Sequence, residues 1–330
     1  MIQSKRIFGL DLMRALAILL VLAAHSVEFM IPVGVIGVEI FFVLSGFLVG
    51  GIFLRAFSDA KVFTIRHVFL FLKRRWWRTL PNYYLFLLIF VAVAYFSGSL
   101  PDTATLVRYP FFLQNLTMAQ PDFFSISWSL AIEEWFYLLL PGAVIVTGLL
   151  VKSRHTAFAI GCLLMGVASF TLRMTVFDIS PWDSYARKIV LGRLDALACG
   201  CLIAWLEINK PKLFEMFSRP FSVTFPFIFG LVVSFVACAN FPGAERWIPS
   251  GLIFLLMPVS FALCIPFLVN ARLPFPRFIK HLITKTSLWS YSLYLFHIPV
   301  ILLFHHWVGD DTSKIMRAVL RGSALMTCFA

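Results

Sequence analysis

The chain alternates long apolar runs with short polar connections. Ten of the runs contain about twenty residues, which is the length that crosses a hydrocarbon layer of about 30 Å as an α-helix. Their approximate bounds are 7–28, 33–54, 79–97, 127–150, 156–174, 189–206, 221–239, 249–269, 287–304 and 313–330. The pattern therefore predicts an all-α polytopic membrane protein with about ten transmembrane helices, in a single integral-membrane domain over residues 1–330.

Composition supports this class and changes how the net charge is interpreted. Of the 330 residues, 60% are hydrophobic and only 13% are charged, whereas about 25% are charged in a soluble domain. The net charge of +12 does not indicate nucleic acid, because eighteen basic residues fall in one set of alternate connections and five in the other. The positive-inside rule then predicts that both termini are cytoplasmic. All six cysteines lie in apolar runs, without the spacing of a metal site or disulfide framework.

The first apolar run contains ionisable residues. Asp11 and Arg14 lie near its start and His25 near its end. Arg14 and His25 are eleven positions apart, so they share one helix face within about 20° and are separated by about 16 Å along the axis. Intramembrane ionisable residues are usually functional. A snorkelling arginine with an interfacial histidine is the structural alternative.

The most basic stretch is the connection over residues 55–78, which ends in FLFLKRRWWRTLPNYY. Alternating apolar and basic residues predict a helix lying at the cytoplasmic interface. The spacing of Arg74, Arg75 and Arg78 gathers guanidinium groups on one side. These groups bind either lipid phosphates or the phosphates of a cytosolic cofactor.

The fourth run, SWSLAIEEWFYLLLP, contains two adjacent glutamates. Ser129, Glu133 and Tyr137 share a helix face, and Glu134 points about 100° away. Carboxylates inside a membrane are costly unless they face a polar cavity or a cation. A purely structural account pairs them with one of the arginines at positions 14, 173 and 193.

Further polar residues occur in other runs and predict one supporting polar layer. Its members are Asp11, Glu39, Ser129, Tyr137, Arg193, Asp195, Tyr294 and His297.

The second run also contains the small residues Ser45 and Gly46, which predict that a neighbouring helix approaches closely there.

Six segments together resemble the acyltransferase 3 family of integral-membrane acyltransferases. They are GLDLMRALAILLVLAAHS, GVEIFFVLSGFL, RRWWRTLPNYY, SWSLAIEEWFYLLLP, GRLDALACG and SYSLYLFHIP, in the order of the family and over residues 7–300. Family members more often have aspartate at the position of Glu39. Their last helix usually continues to an acidic residue before proline, which this sequence lacks, so the last helix is expected to be incomplete.

The resemblance implies an O-acyltransferase of the bacterial cell (inner) membrane. It implies transfer from cytosolic acyl-CoA to a hydroxyl of an extracytoplasmic acceptor, such as a surface or secreted glycan, without a tightly bound cofactor or metal. The donor-binding residues would be Arg14, Arg74, Arg75 and Arg78. His25 would be the general base, with Glu133 or Glu134 orienting its imidazole.

Alternatives remain open from the sequence. His25 carries the acyl group itself in one of them. A proton-coupled secondary transporter also places histidine, carboxylates and arginine at membrane depth. The sequence does not specify the acyl group, the acceptor or the oligomeric state.

Overall fold

The computed structural model describes residues 6–26, 31–60, 62–177, 184–238 and 250–308. These ranges contain helices and no β-strand. The α-helices are α1 (Phe8–Ser26), α2 (Ile31–Asp59), α3 (Ile65–Phe96), α4 (Thr103–Leu106), α5 (Ser127–Leu150), α6 (Arg154–Leu172), α7 (Leu194–Asn209), α8 (Pro211–Met216), α9 (Pro220–Cys238), α10 (Ser250–Asn270) and α11 (Arg277–Val308). A 3₁₀ turn at Tyr109–Phe111 and a π-helical turn at Arg173–Phe177 complete the regular structure of these ranges.

Six of the described helices are long and apolar enough to cross a membrane: α1, α2, α3, α5, α6 and α10. The all-α polytopic class is therefore confirmed, whereas the number of ten spans stays a prediction. Helix α7 has sixteen residues and spans only about 24 Å. Helix α11 has thirty-two residues and begins with a basic segment. The predicted span over 313–330 lies outside the described residues.

Helix α3 differs from its prediction. The sequence predicted an interfacial helix followed by a separate span over 79–97, but one continuous helix runs from Ile65 to Phe96. Pro81 lies inside it and removes a single backbone hydrogen bond without ending the helix. The basic segment is therefore the first part of a long helix, and its arginines face the helix bundle or the surface according to their position around the axis.

Helices α2 and α7 cross at glycine residues. A Cβ atom at Gly46 would collide with the carbonyl oxygen of Leu197, and a Cβ atom at Gly200 with that of Val43. The Sγ atom of Cys201 donates to the carbonyl oxygen of Gly46 at 3.2 Å. The close approach of a neighbouring helix predicted at Gly46 is thus present, because small residues let two backbones meet.

Two fully buried ion pairs connect the helices. Arg193 pairs with Glu39 of α2, and Arg173 pairs with Asp195 of α7 at 2.6 Å. Both arginines also donate to main-chain carbonyl oxygens of α10, at 2.9 Å each. Arg173 and Arg193 therefore serve the framework of the bundle and have other partners than the adjacent glutamates of α5.

Candidate active site

A cavity of about 250 Å³ lies between α1, α2, α3, α5 and α11. Its polar lining consists of Arg14, Ser45, Arg75, Arg78, Thr79, Ser129, Glu133, Ser290, Tyr291 and Tyr294. The remaining lining is apolar and comes mainly from α2. The cavity therefore carries three cations and one carboxylate on a wall that also contains hydroxyl groups and apolar side chains.

The three cations come from two helices. Arg14 and Arg75 are partly buried, and Arg78 is more exposed. The Nη2 atom of Arg75 donates to the hydroxyl of Tyr137 at 3.0 Å. Arg74 is exposed and does not line this cavity, because its position on α3 turns it about 100° away from Arg75. Three of the four predicted donor-binding arginines thus meet at one cavity.

The adjacent glutamates of α5 face different cavities, as their angular separation predicts. Glu133 lines the arginine cavity and accepts a hydrogen bond from Tyr137 at 2.9 Å. Glu134 lines a separate cavity of about 290 Å³ and accepts from Thr79 at 2.7 Å. Neither hydrogen bond runs to the imidazole of His25.

A pair of histidines lies next to the arginine cavity. The ring centres of His25 and His297 are 4.7 Å apart and the rings are inclined by 66°. His25 is exposed, whereas His297 is buried. Tyr294 connects the two regions, because its hydroxyl is 2.6 Å from Ser129 on the cavity wall and its ring centre is 5.7 Å from that of His297. His25 contacts His297 of α11, and Arg14 lines the cavity together with residues of α11. Both side chains therefore lie on the side of α1 that meets α11.

Main-chain hydrogen bonds define the proton positions on both imidazoles. The Nδ1 atom of His25 is 2.9 Å from the carbonyl oxygen of Val21, and that of His297 is 2.7 Å from the carbonyl oxygen of Tyr294. A carbonyl oxygen only accepts, so a neutral ring carries its proton on Nδ1 and leaves Nε2 as a proton acceptor. The Nε2 atom of His297 is buried and has no hydrogen-bond partner among the described residues.

Apart from His297, the predicted supporting layer divides into three groups. Ser129, Tyr137 and Tyr294 surround the cavity region. Asp11 pairs with Arg6 and accepts from a serine of α11 at 2.9 Å. Glu39, Arg193 and Asp195 belong to the buried ion pairs described above.

The family profile described as an acyltransferase domain matches residues 7–328. The chain belongs to the acyltransferase 3 family. Its match extends over nearly the whole sequence and includes every helix that contributes to the arginine cavity.

This acyltransferase 3 member is similar to curated bacterial proteins. A "Putative O-acetyltransferase" of Staphylococcus aureus strain COL is 25% identical, over 95% of this chain and 54% of the relative. The "Putative peptidoglycan O-acetyltransferase YrhL" of Bacillus subtilis strain 168 is 28% identical, over 89% and 48%. The O-acetyltransferase OatA of Staphylococcus aureus strain NCTC 8325 is 26% identical, over 91% and 51%.

The chain thus spans about half the length of the curated relatives it matches. No solved structure matches it significantly.

Several cavity residues of this acyltransferase 3 member were not predicted as site residues. Ser45, Thr79, Ser290 and Tyr291 all line the arginine cavity. Each lies within a segment that carries the family resemblance. Thr79 follows a predicted arginine, Ser290 and Tyr291 lie four and three positions before a predicted tyrosine, and Ser45 lies six positions after a predicted glutamate. Their hydroxyl groups gave no signal by themselves, because serine, threonine and tyrosine are common in membrane helices without a site role.

Proposed function

We propose that this chain is the membrane domain of an O-acyltransferase that transfers an acyl group from cytosolic acyl-CoA to a hydroxyl of an extracytoplasmic glycan. The main support is that Arg14, Arg75 and Arg78 line one cavity in a member of an acyltransferase family. Guanidinium groups bind phosphates by paired hydrogen bonds, as the phosphates of a CoA thioester require. The relatives named as O-acetyltransferases, one of them for peptidoglycan, support a glycan hydroxyl as the acceptor.

In the proposed reaction, Nε2 of His25 takes the proton of the acceptor hydroxyl as its oxygen bonds to the thioester carbonyl carbon. The carbon–sulfur bond then breaks, and the imidazolium returns the proton to the CoA sulfur. Nδ1 keeps its hydrogen bond to Val21 throughout, which holds the ring in the basic tautomer. In the covalent variant, Nε2 attacks the thioester carbonyl carbon first and CoA leaves as its thiolate. The acceptor oxygen then bonds to the acyl carbon, the bond from that carbon to Nε2 breaks, and the proton of the acceptor hydroxyl passes to the thiolate.

The proposal includes the topology and the location of the chain. The domain would lie in the inner membrane of a bacterial cell, with ten transmembrane helices and both termini in the cytoplasm. The eighteen-to-five division of basic residues supports this orientation. A reporter fused after Lys152 should be cytoplasmic and one after Asp183 external; the reverse pattern contradicts the orientation.

The direct test uses purified protein in lipid nanodiscs, with acetyl-CoA as donor and soluble peptidoglycan fragments as acceptor. The expected result is release of free CoA together with fragments that have gained one acetyl group by mass spectrometry. A protein that binds and consumes no acetyl-CoA, but moves solute with protons when reconstituted into sealed vesicles, would instead be a proton-coupled transporter.

A further inference from the structure

The hydroxyl of Tyr137 is the centre of a hydrogen-bond network beside the arginine cavity. The side chain is fully buried. Its oxygen is 2.7 Å from Oγ of Ser45, 3.0 Å from Nη2 of Arg75 and 2.9 Å from Oε2 of Glu133. Three helices, α2, α3 and α5, therefore meet at one oxygen atom.

The chemistry of the partners defines the direction of each hydrogen bond. A guanidinium only donates and a carboxylate only accepts. The phenol therefore gives its one proton to Glu133 and accepts from Arg75, which leaves Ser45 as a second donor to the phenolic oxygen. The cation of Arg75 is thus connected to the anion of Glu133 through Tyr137.

The network leaves part of the Arg75 guanidinium available. Its Nε atom is buried and has no hydrogen-bond partner among the described residues, although a buried donor without a partner is costly. The same guanidinium lies with its Cζ atom 4.7 Å from the ring centre of Tyr137. Tyr137 therefore restrains the cation through its hydroxyl and through its ring, while N–H groups of the guanidinium, including the one on Nε, can donate to a ligand.

We propose that Tyr137 and Glu133 are positioning residues that hold Arg75 in the orientation that binds the phosphates of the acyl donor. This inference rests on the proposed function. It assigns Glu133 to the donor cavity, where its carboxylate points to Tyr137, and removes it from the alternative role of orienting His25. Loss of either group lowers donor affinity and leaves the imidazole chemistry unchanged.

The decisive variant is Tyr137→Phe, which deletes the hydroxyl and keeps the ring. A hydrogen bond to a charged group typically contributes enough that its loss weakens binding about tenfold or more. Calorimetric titration of the purified variant with CoA should therefore give a dissociation constant about tenfold higher than that of the wild type. The Michaelis constant for acetyl-CoA should rise by a similar factor, while kcat and the pH profile of kcat stay close to those of the wild type.

Two further variants keep the test informative if Tyr137→Phe does not fold. Glu133→Gln removes the charge and retains an oxygen that accepts from Tyr137, and Ser45→Ala removes one donor. Both should weaken CoA binding by a smaller factor in the same direction. The matched control is Tyr84→Phe, which deletes a hydroxyl that donates to the carbonyl oxygen of Pro110 at 3.0 Å outside the arginine cavity. It should leave CoA affinity unchanged.

Unchanged CoA affinity in folded Tyr137→Phe, or in both Glu133→Gln and Ser45→Ala, would overturn the inference. So would a lower kcat with a shifted pH profile at normal CoA affinity, because that result places Glu133 with His25. The proposed function has a separate readout: it fails if the wild type binds CoA and transfers no acetyl group, whatever the affinities of the variants.

Discussion

Replacing Glu39 with alanine should destabilise the bundle without affecting the donor cavity. The side chains of Glu39 and Arg193 are 1% and 0% exposed, so water reaches neither charge. After the replacement, Arg193 keeps its hydrogen bond to a carbonyl oxygen of α10 but loses the only anion with which it forms a described ion pair. A buried charge that has lost its partner typically costs about 3–5 kcal/mol.

The double replacement Glu39→Leu with Arg193→Met separates the pair from its surroundings. Apolar residues of similar volume frequently match or exceed the stability of a buried ion pair, because no charge has to be desolvated. The double variant should therefore be more stable than either matching single variant, Glu39→Leu or Arg193→Met. The resulting coupling energy is expected to be at least about 2 kcal/mol, within the range measured for residues in direct contact.

Equilibrium unfolding by titration with sodium dodecyl sulfate in mixed micelles, followed by tryptophan fluorescence, measures these free energies. CoA affinity should stay at the wild-type value in every variant that folds, because Glu39 and Arg193 do not line the arginine cavity. If the two single effects add to the double effect within about 0.5 kcal/mol, the two charges do not depend on each other, and the predicted coupling is absent.

Two further predictions follow from the cavity and from the helix crossing. Arg75→Ala and Arg78→Ala should each raise the Michaelis constant for acetyl-CoA about tenfold or more, whereas Arg66→Ala, at an exposed position outside the cavity, should not; equal effects would indicate general attraction to lipid phosphates. Gly200→Ala should lower the free energy of unfolding by about 1–3 kcal/mol, because the new Cβ meets a carbonyl oxygen of α2. Gly142→Ala, where a Cβ meets nothing within 4 Å, should lower it by less than about 0.5 kcal/mol or raise it.

Local features of the fold could be predicted because they depend on positions within one helix. The period of the α-helix placed Glu133 and Glu134 on different faces, and the structure shows them at different cavities. The small size of Gly46 predicted a close helix approach, which α7 makes. In both cases the sequence alone indicated the helix face or the small side chain, whereas the cavity or helix next to it became known only from the structure.

The partners of the buried charges could not be predicted. Arg193 and Glu39 are 154 positions apart, and several arginine–carboxylate pairings were equally compatible with the sequence. The choice depends on which helices are adjacent, and adjacency depends on packing over the whole bundle. For the same reason, nothing local showed that the hydroxyl of Tyr137 would join Ser45 and Arg75.

The predicted start of α3 was wrong for a different physical reason. Alternating apolar and basic residues are typical of an interfacial helix, so the sequence predicts the basic segment as separate from the span that follows. In the structure, the helix continues through the charges, and one face of this segment borders the arginine cavity. A cavity between helices is a tertiary feature that hydropathy along the chain does not report.

The proposed removal of the acceptor proton by His25 can be measured through the transfer rate of His25→Gln, since glutamine keeps hydrogen-bonding capacity but has no basic nitrogen. We expect kcat of this variant to fall about 10²–10⁴-fold while its affinity for CoA stays unchanged. The wild-type rate should fall in acidic solution as the imidazole becomes protonated. Near-normal turnover of the His25→Gln enzyme would exclude His25 as the general base and move the proton-accepting role to another group, such as His297.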